Sequence, residues 1–126
     1  MIKLREMDHF GIEVTDLARA RNFYCDVLGM RFLQDLGRDG MLLRCGDHNV
    51  ALHLNPELPP APPDRIANPL GKAHHAFKVS PEDFAAACAG LAALKVPMHD
   101  PVNWGDHDCL YFLDPDGNLL ELINHR

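Results

Sequence analysis

The chain repeats itself. Residues 9–14, HFGIEV, and residues 74–79, HHAFKV, share a strand-like alternation of apolar and other side chains. A helix start follows each run: Thr15-Asp16 in the first, and Ser80-Pro81-Glu82-Asp83 in the second, with proline in the first turn and an acid three residues past the serine. The first helix carries Ala20, Phe23, Tyr24, Val27 and Leu28 at helical spacing and ends at Gly29; the second carries Phe84, Cys88, Leu91 and Leu94. Three strand-like runs come after each helix. They are Met30–Leu36, Met41–Cys45 and Val50–Leu54, then Val96–Met98, Cys109–Leu113 and Leu119–Ile123. A chain of this kind has one economical solution, a βαβββ unit built twice.

Between the copies lies NPELPPAPPDRIANPLG (55–71), which holds six of the ten prolines. It is expected to be a stiff, extended linker rather than an element. The expected organisation is one domain, 1–126, with a first module over 7–54 and a second over 72–124. The expected fold class is α+β: two βαβββ modules forming a curved, cleft-shaped mixed sheet with helices outside. A module of this size would be marginal alone, whereas 126 residues can bury a sufficient core.

Composition narrows the function. A net charge of −6 with one tryptophan and two tyrosines gives no nucleic-acid footprint. No apolar run reaches membrane-span length, and the N-terminus lacks a signal-peptide stretch, so the expected setting is cytoplasmic with no membrane partner. Cys25, Cys45, Cys88 and Cys109 lie far apart without a CxxC, which fits free thiols. Histidine is abundant, at eight residues.

Polar residues inside the apolar strands carry the chemistry. His9 and His74 open equivalent strands 65 residues apart (9 to 74). Aligning 41–54 with 109–122 without a gap places His53 over Glu121. Alternation puts Glu121 on one face with Leu119 and Ile123, and turns Leu120 and Leu122 toward the helices. A carboxylate on such a face is costly unless paired or ligated. If the modules pair about an approximate two-fold, His9, His74, Glu121 and His53 converge in the cleft. Two histidines and a glutamate with an open side suit a divalent metal that also holds substrate. The plainer alternative is a buried ion pair of Glu121 with Arg31 or Arg44. His75 should point away from His74 and be structural. His48 and His125 read as exposed turn and tail residues. The segment 99–108, HDPVNWGDHD, reads either as a substrate-facing loop or as a solvated one.

HFGIEVTDL (9–17), FYCDVLGM (23–30), HHAFKV (74–79) and YFLDPDGNLLELI (111–123) together resemble the vicinal oxygen chelate superfamily. That group includes glyoxalase I, bleomycin-resistance proteins, fosfomycin-resistance enzymes, methylmalonyl-CoA epimerase and extradiol dioxygenases. The resemblance implies that the paired βαβββ modules form an incomplete, cleft-shaped mixed β-barrel around a divalent metal (Fe, Mn, Ni, Zn or Co) held by His9, His74 and Glu121, with vicinal oxygens of a small-molecule substrate chelated on it. It implies a role for Tyr111, whose phenol would hydrogen-bond a metal-bound oxygen or oxyanion. His53 could be a fourth ligand, a general base or a wall of the pocket. The implied activities are an extradiol-type dioxygenase or a lyase/isomerase. A thiol- or water-adding resistance enzyme and a metal-free ligand-sequestering protein are the alternatives. Gly11 stands where thiol-transferring resistance enzymes carry threonine, and the acidic loop 101–108, PVNWGDHD, replaces their basic, serine-rich loop. Small members of the group are commonly homodimers, and the proline linker would let modules exchange between chains.

Overall fold

In the computed structural model, which describes all 126 residues, the alternating runs become two four-stranded sheets. They belong to two compact units, Met1–Pro59 and Pro60–Arg126. The first holds β1 (His9–Val14), α1 (Leu17–Arg21), β2 (Arg31–Asp35), β3 (Gly40–Cys45) and β4 (His48–Leu54), in sheet order β1-β4-β3-β2. The second holds α2 (Asp64–Ala67), β5 (His75–Lys78), α3 (Pro81–Ala93), β6 (Val102–Asn103), β7 (His107–Leu113) and β8 (Leu119–His125), in order β5-β8-β7-β6. In each sheet the first strand runs parallel to the last and the remaining pairs are antiparallel. The doubled βαβββ pattern is therefore present, as two mixed sheets, neither closed into a barrel.

Each sheet buries one face under its helix. In the first unit Ile12, Val14, Leu43, Val50 and Leu52 pack with Ala20, Phe23 and Tyr24. Asp16, rather than Thr15, caps α1 by accepting from the Arg19 N–H at 3.0 Å. The expected single helix then changes character, and Asn22–Val27 forms a π-helical turn in which Leu28 N–H bonds the Phe23 carbonyl. The wider turn lets the consecutive Phe23 and Tyr24 both reach the core, where their rings meet edge to face at 5.4 Å. In the second unit Leu110, Phe112, Leu120 and Leu122 form the helix-side layer, and α3 lies on β8. Burying each is worth about 2 kcal/mol.

Two expected elements differ. Val96–Met98 is not a strand of the sheet. Met98 makes one isolated bridge to Phe112, and the edge strand is Val102–Asn103, because Pro97 and Pro101 lack the N–H groups a continuous ladder needs. The 55–71 segment is not extended throughout: its second half turns into the four-residue α2. Ile66 packs against the Cys109–Tyr111–Leu113–Leu119 cluster, and Arg65 donates to the Gly117 carbonyl at 2.7 Å. All four cysteines are free thiols. No helix is long and apolar enough to cross a membrane.

The β7–β8 turn is held by one carboxylate. Asp114 is buried and accepts from the Asp116 N–H, the Asn118 N–H and the Asn118 side-chain amide at 2.8–2.9 Å. Gly117 adopts φ +84°, and a Cβ there would fall 2.4 Å from the Ala61 Cβ. Asp114→Ala strands these donors and is expected to cost about 3 kcal/mol, measured by urea unfolding. Burial pushes the thiols of Cys25, Cys45 and Cys88 up from their ordinary value. Thiolate is thus scarce at pH 7.5, and iodoacetamide should alkylate them about tenfold more slowly in the folded than in the unfolded chain, read by mass spectrometry.

Candidate functional site

Opposite the helix layer, the second sheet shows a different face. Tyr111 pairs with Glu121, Ala76 pairs with Glu121 on the other side, and His74 precedes β5 with the same orientation as Ala76. Leu119, Ile123, Leu113 and Cys109 complete an apolar surround. Glu121 sits in it with only 5% of its surface exposed. Its partner is not Arg31 or Arg44, as a structural ion pair would need. Arg44 donates to the Gly46 carbonyl and to Asn49. Glu121 Oε2 instead lies 2.7 Å from His74 Nε2.

That distance is chemically informative. His74 Nδ1 lies 2.6 Å from the Lys72 carbonyl, which only accepts, so Nδ1 carries the hydrogen. Nε2 is then the lone-pair nitrogen of the neutral ring. A lone pair and a carboxylate oxygen at 2.7 Å repel unless a proton or a cation lies between them. A backbone acceptor fixing the tautomer from behind is also how metal-binding imidazoles are commonly oriented. His9, in the first unit, repeats the device, with Nδ1 2.6 Å from Asp8 Oδ1. The donor set therefore fits a divalent metal. No group of three or more His, Cys, Asp or Glu side chains is arranged to hold a metal ion; the second unit brings His74, Glu121 and Tyr111 together, and His9 and His53 are carried by the first sheet.

Tyr111 adjoins both. Its ring meets the His74 ring edge to face at 5.2 Å. Burial first, then the charge of Glu121 and Cys109 and hydrogen bonds to both, push its phenol up to about 12, so it remains a hydrogen-bond donor at neutral pH. His75 faces the other way, level with Leu120. Burial, and next the proximity of His74, hold it below the ordinary histidine range, as suits a packing residue. His48 and His125 are exposed.

His53 lies on the same face of its sheet as His9, but it does not overlie Glu121. Gly11, two residues past His9, pairs with Ala51, whereas Ala76, two residues past His74, pairs with Glu121. The row of Glu121 thus corresponds to that of Ala51, and His53 stands one row further along. The gapless alignment also fails in the preceding strands. Met41 faces the helix layer and Cys109 faces away from it, because a two-residue turn joins β3 to β4 and a five-residue turn joins β7 to β8. The side chain of His53 nevertheless leans back over Gly11, where a Cβ would lie 3.2 Å from His53 Cδ2 and 3.4 Å from Nε2. Threonine at position 11 would displace that ring.

Two residues on the Glu121 face escaped sequence reasoning, Cys109 and Trp104. The Trp104 indole N–H donates to Cys109 Sγ at 3.3 Å. The Cys109 thiol, raised chiefly by burial, hydrogen-bonds Glu121 and Tyr111. Strand parity with Tyr111 was the available signal for Cys109. Beside His74 a cleft of about 570 Å³ is lined by Arg65, Lys72, His75 and Asn118. Its cations are engaged locally, Arg65 by Gly117 and Lys72 by Asn68 and Asp64.

If the His74–Glu121 pair is maintained at a cost, its parts should behave unequally. In metal-free protein His74→Ala should destabilise by about 2 kcal/mol, because it leaves a buried carboxylate alone. The double variant His74→Ala/Glu121→Leu should recover most of that loss in urea unfolding.

The chain matches the family described as Glyoxalase/Bleomycin resistance protein/Dioxygenase superfamily over residues 6–122. Glutathione transferase FosA of Serratia marcescens is 32% identical over 119 residues, covering 94% of this chain and 80% of that protein. The uncharacterized protein YaeR of Escherichia coli is 34% identical over 134 residues, covering 97% and 98%. The structure of a glyoxalase/dioxygenase from Nostoc punctiforme superposes with a TM-score of 0.79 at 27% identity, covering 97% of this chain and 92% of that one. On sequence and fold alike, this chain belongs to the glyoxalase/bleomycin resistance protein/dioxygenase superfamily.

Proposed function

We propose that the protein is a divalent-metal-dependent enzyme that chelates vicinal oxygens of a small organic substrate, of the extradiol-dioxygenase or lyase/isomerase type. The observation that carries this reading is the 2.7 Å approach of His74 Nε2 to Glu121 Oε2 with His74 Nδ1 already committed to a carbonyl. The proposed ligands are His74, Glu121 and His9, and both units act together as one 1–126 domain. Fe, Mn, Ni, Zn and Co all accept such a set. When bound, the metal supplies Lewis acidity, polarising the substrate oxygens and stabilising negative charge on them.

The chain's own groups do the rest. Tyr111 keeps its proton at neutral pH and donates it as a hydrogen bond to the oxygen that gains charge. His53, with its ring over Gly11 on the His9 face, takes a proton or adds a further donor. The apolar residues around Glu121 exclude water and strengthen these electrostatic contacts. A homodimer belongs to the same proposal, and sedimentation would then read twice the 14.1 kDa chain mass.

The likeness to FosA favours a second reading, addition of a thiol or water to an epoxide. Gly11 and the acidic 101–108 loop weigh against it, since neither offers the hydroxyl or the cations an anionic epoxide would need. Oxygen uptake with catechols and Fe(II) selects the dioxygenase. Hemithioacetal isomerisation with Ni(II) or Zn(II) selects the isomerase, and thiol addition to fosfomycin with Mn(II) selects the alternative.

Calorimetric titration tests the shared premise. One metal per chain is expected, with affinity lowered about a hundredfold or more in His9→Ala, His74→Ala and Glu121→Gln. Tyr111→Phe should bind metal as wild type does and lose about a hundredfold in kcat. Wild-type protein that takes up no divalent metal, with ligand binding intact in His9→Ala, would instead mark a metal-free sequestering protein.

A further inference from the structure

Trp104 is the only tryptophan in the chain, and half of its surface, 51%, is exposed. A large exposed indole on a short turn is ordinarily free to change rotamer, but this one is restrained three ways. Its backbone N–H bonds the His107 carbonyl at 2.9 Å. The ring lies nearly parallel to the His107 imidazole, 18° between planes and 6.2 Å between centroids. The indole N–H points inward to Cys109 Sγ. One side of the indole is therefore backed by His107 and its polar edge is satisfied, which leaves an apolar surface open with no polar group of its own to desolvate.

The position of that surface is set by strand register. Val102 pairs with Cys109, and Trp104 and His107 continue the same alternation, so the indole borders the face that carries Tyr111 and Glu121. Cys109 is the connecting piece, since its sulfur accepts from Trp104 and lies within hydrogen-bonding reach of Glu121 and Tyr111.

We infer that Trp104 is a specificity-determining residue: its pinned indole forms a wall against which the part of the substrate beyond the chelating oxygens stacks, selecting planar, unsaturated molecules over saturated ones. This deepens, and rests on, the assignment of His74 and Glu121 as metal ligands. A flat π-face gains contact over its whole area against an immobilised indole and loses little conformational freedom, whereas a puckered ring or an acyclic chain touches it at a few atoms.

The single tryptophan makes the wall directly observable. Zn(II)-loaded protein is titrated with tropolone, a planar bidentate oxygen chelator that absorbs in the range of tryptophan emission, and with acetohydroxamate, which chelates through the same pair of oxygens without a ring. Tropolone should quench Trp104 emission and bind at least tenfold more tightly to wild type than to Trp104→Ala. Trp104→Phe should recover part of that preference, and acetohydroxamate should bind wild type and Trp104→Ala alike. Tropolone that binds, by the shift of its own absorption, without quenching Trp104, or that binds Trp104→Ala within twofold of wild type, overturns the inference. Failure of the metal reading is seen separately as no zinc uptake. The metal-free protein is then titrated with 2-naphthol, which quenches Trp104 if the wall stands and leaves it unchanged if it does not.

Discussion

The arrangement turns on a carboxylate placed where the fold would otherwise put a leucine. Glu121 lies on a central strand, paired on both sides, with apolar residues before and after it on its face. Removing an ionised carboxylate from water costs several kcal/mol, and a single imidazole repays that only in part. The helix-side layer of the same strands provides the surplus. Four large side chains buried at about 2 kcal/mol each outweigh one strained polar site. One strand thus serves opposite purposes by alternation, stability from its even-numbered residues and chemistry from its odd-numbered ones.

Alternation also explains what was legible in the sequence. The division of Leu120 and Leu122 from Glu121, the start of a strand at His9, the Ser80 cap and the turn at 114–118 all follow from local rules that tertiary structure did not override. The errors arose where a local rule met a length change. A five-residue turn in one hairpin and a two-residue turn in the other shift the strands between repeats, so identical counting gives the wrong row for His53 and the wrong face for Met41 against Cys109. The π-helical turn had no signal in apolar spacing, because it meets the need to bury two consecutive aromatic residues, Phe23 and Tyr24, which only packing reveals. Trp104 was invisible for another reason. Its importance comes from one hydrogen bond to a cysteine five positions away across a strand pair.

The two histidines that open the repeats are prepared in the same way by different means. A backbone carbonyl holds His74 through Nδ1, and the neighbouring carboxylate of Asp8 holds His9. At each strand start Nδ1 faces a nearby acceptor, which leaves Nε2 as the lone-pair nitrogen of the neutral ring. Gly11 has a comparable logic. Strand interiors disfavour glycine, and its retention in β1 costs backbone entropy. What it provides is room: the His53 imidazole occupies the space a side chain at position 11 would fill, which brings a ring from one row of the sheet back toward another.

These features constrain which chemistries the site can perform. With its phenol pushed up to about 12, Tyr111 keeps its proton near neutral pH and can donate a hydrogen bond. The Glu121 carboxylate is engaged by His74, with Tyr111 and Cys109 beside it. On the first sheet His53 is an exposed imidazole on the same face as His9. The two sheets thus carry different polar groups on equivalent faces. Their equivalent rows differ accordingly: the row of Glu121 in one corresponds to Ala51 in the other, so the repeated scaffold carries a carboxylate in one copy and a methyl group in the other.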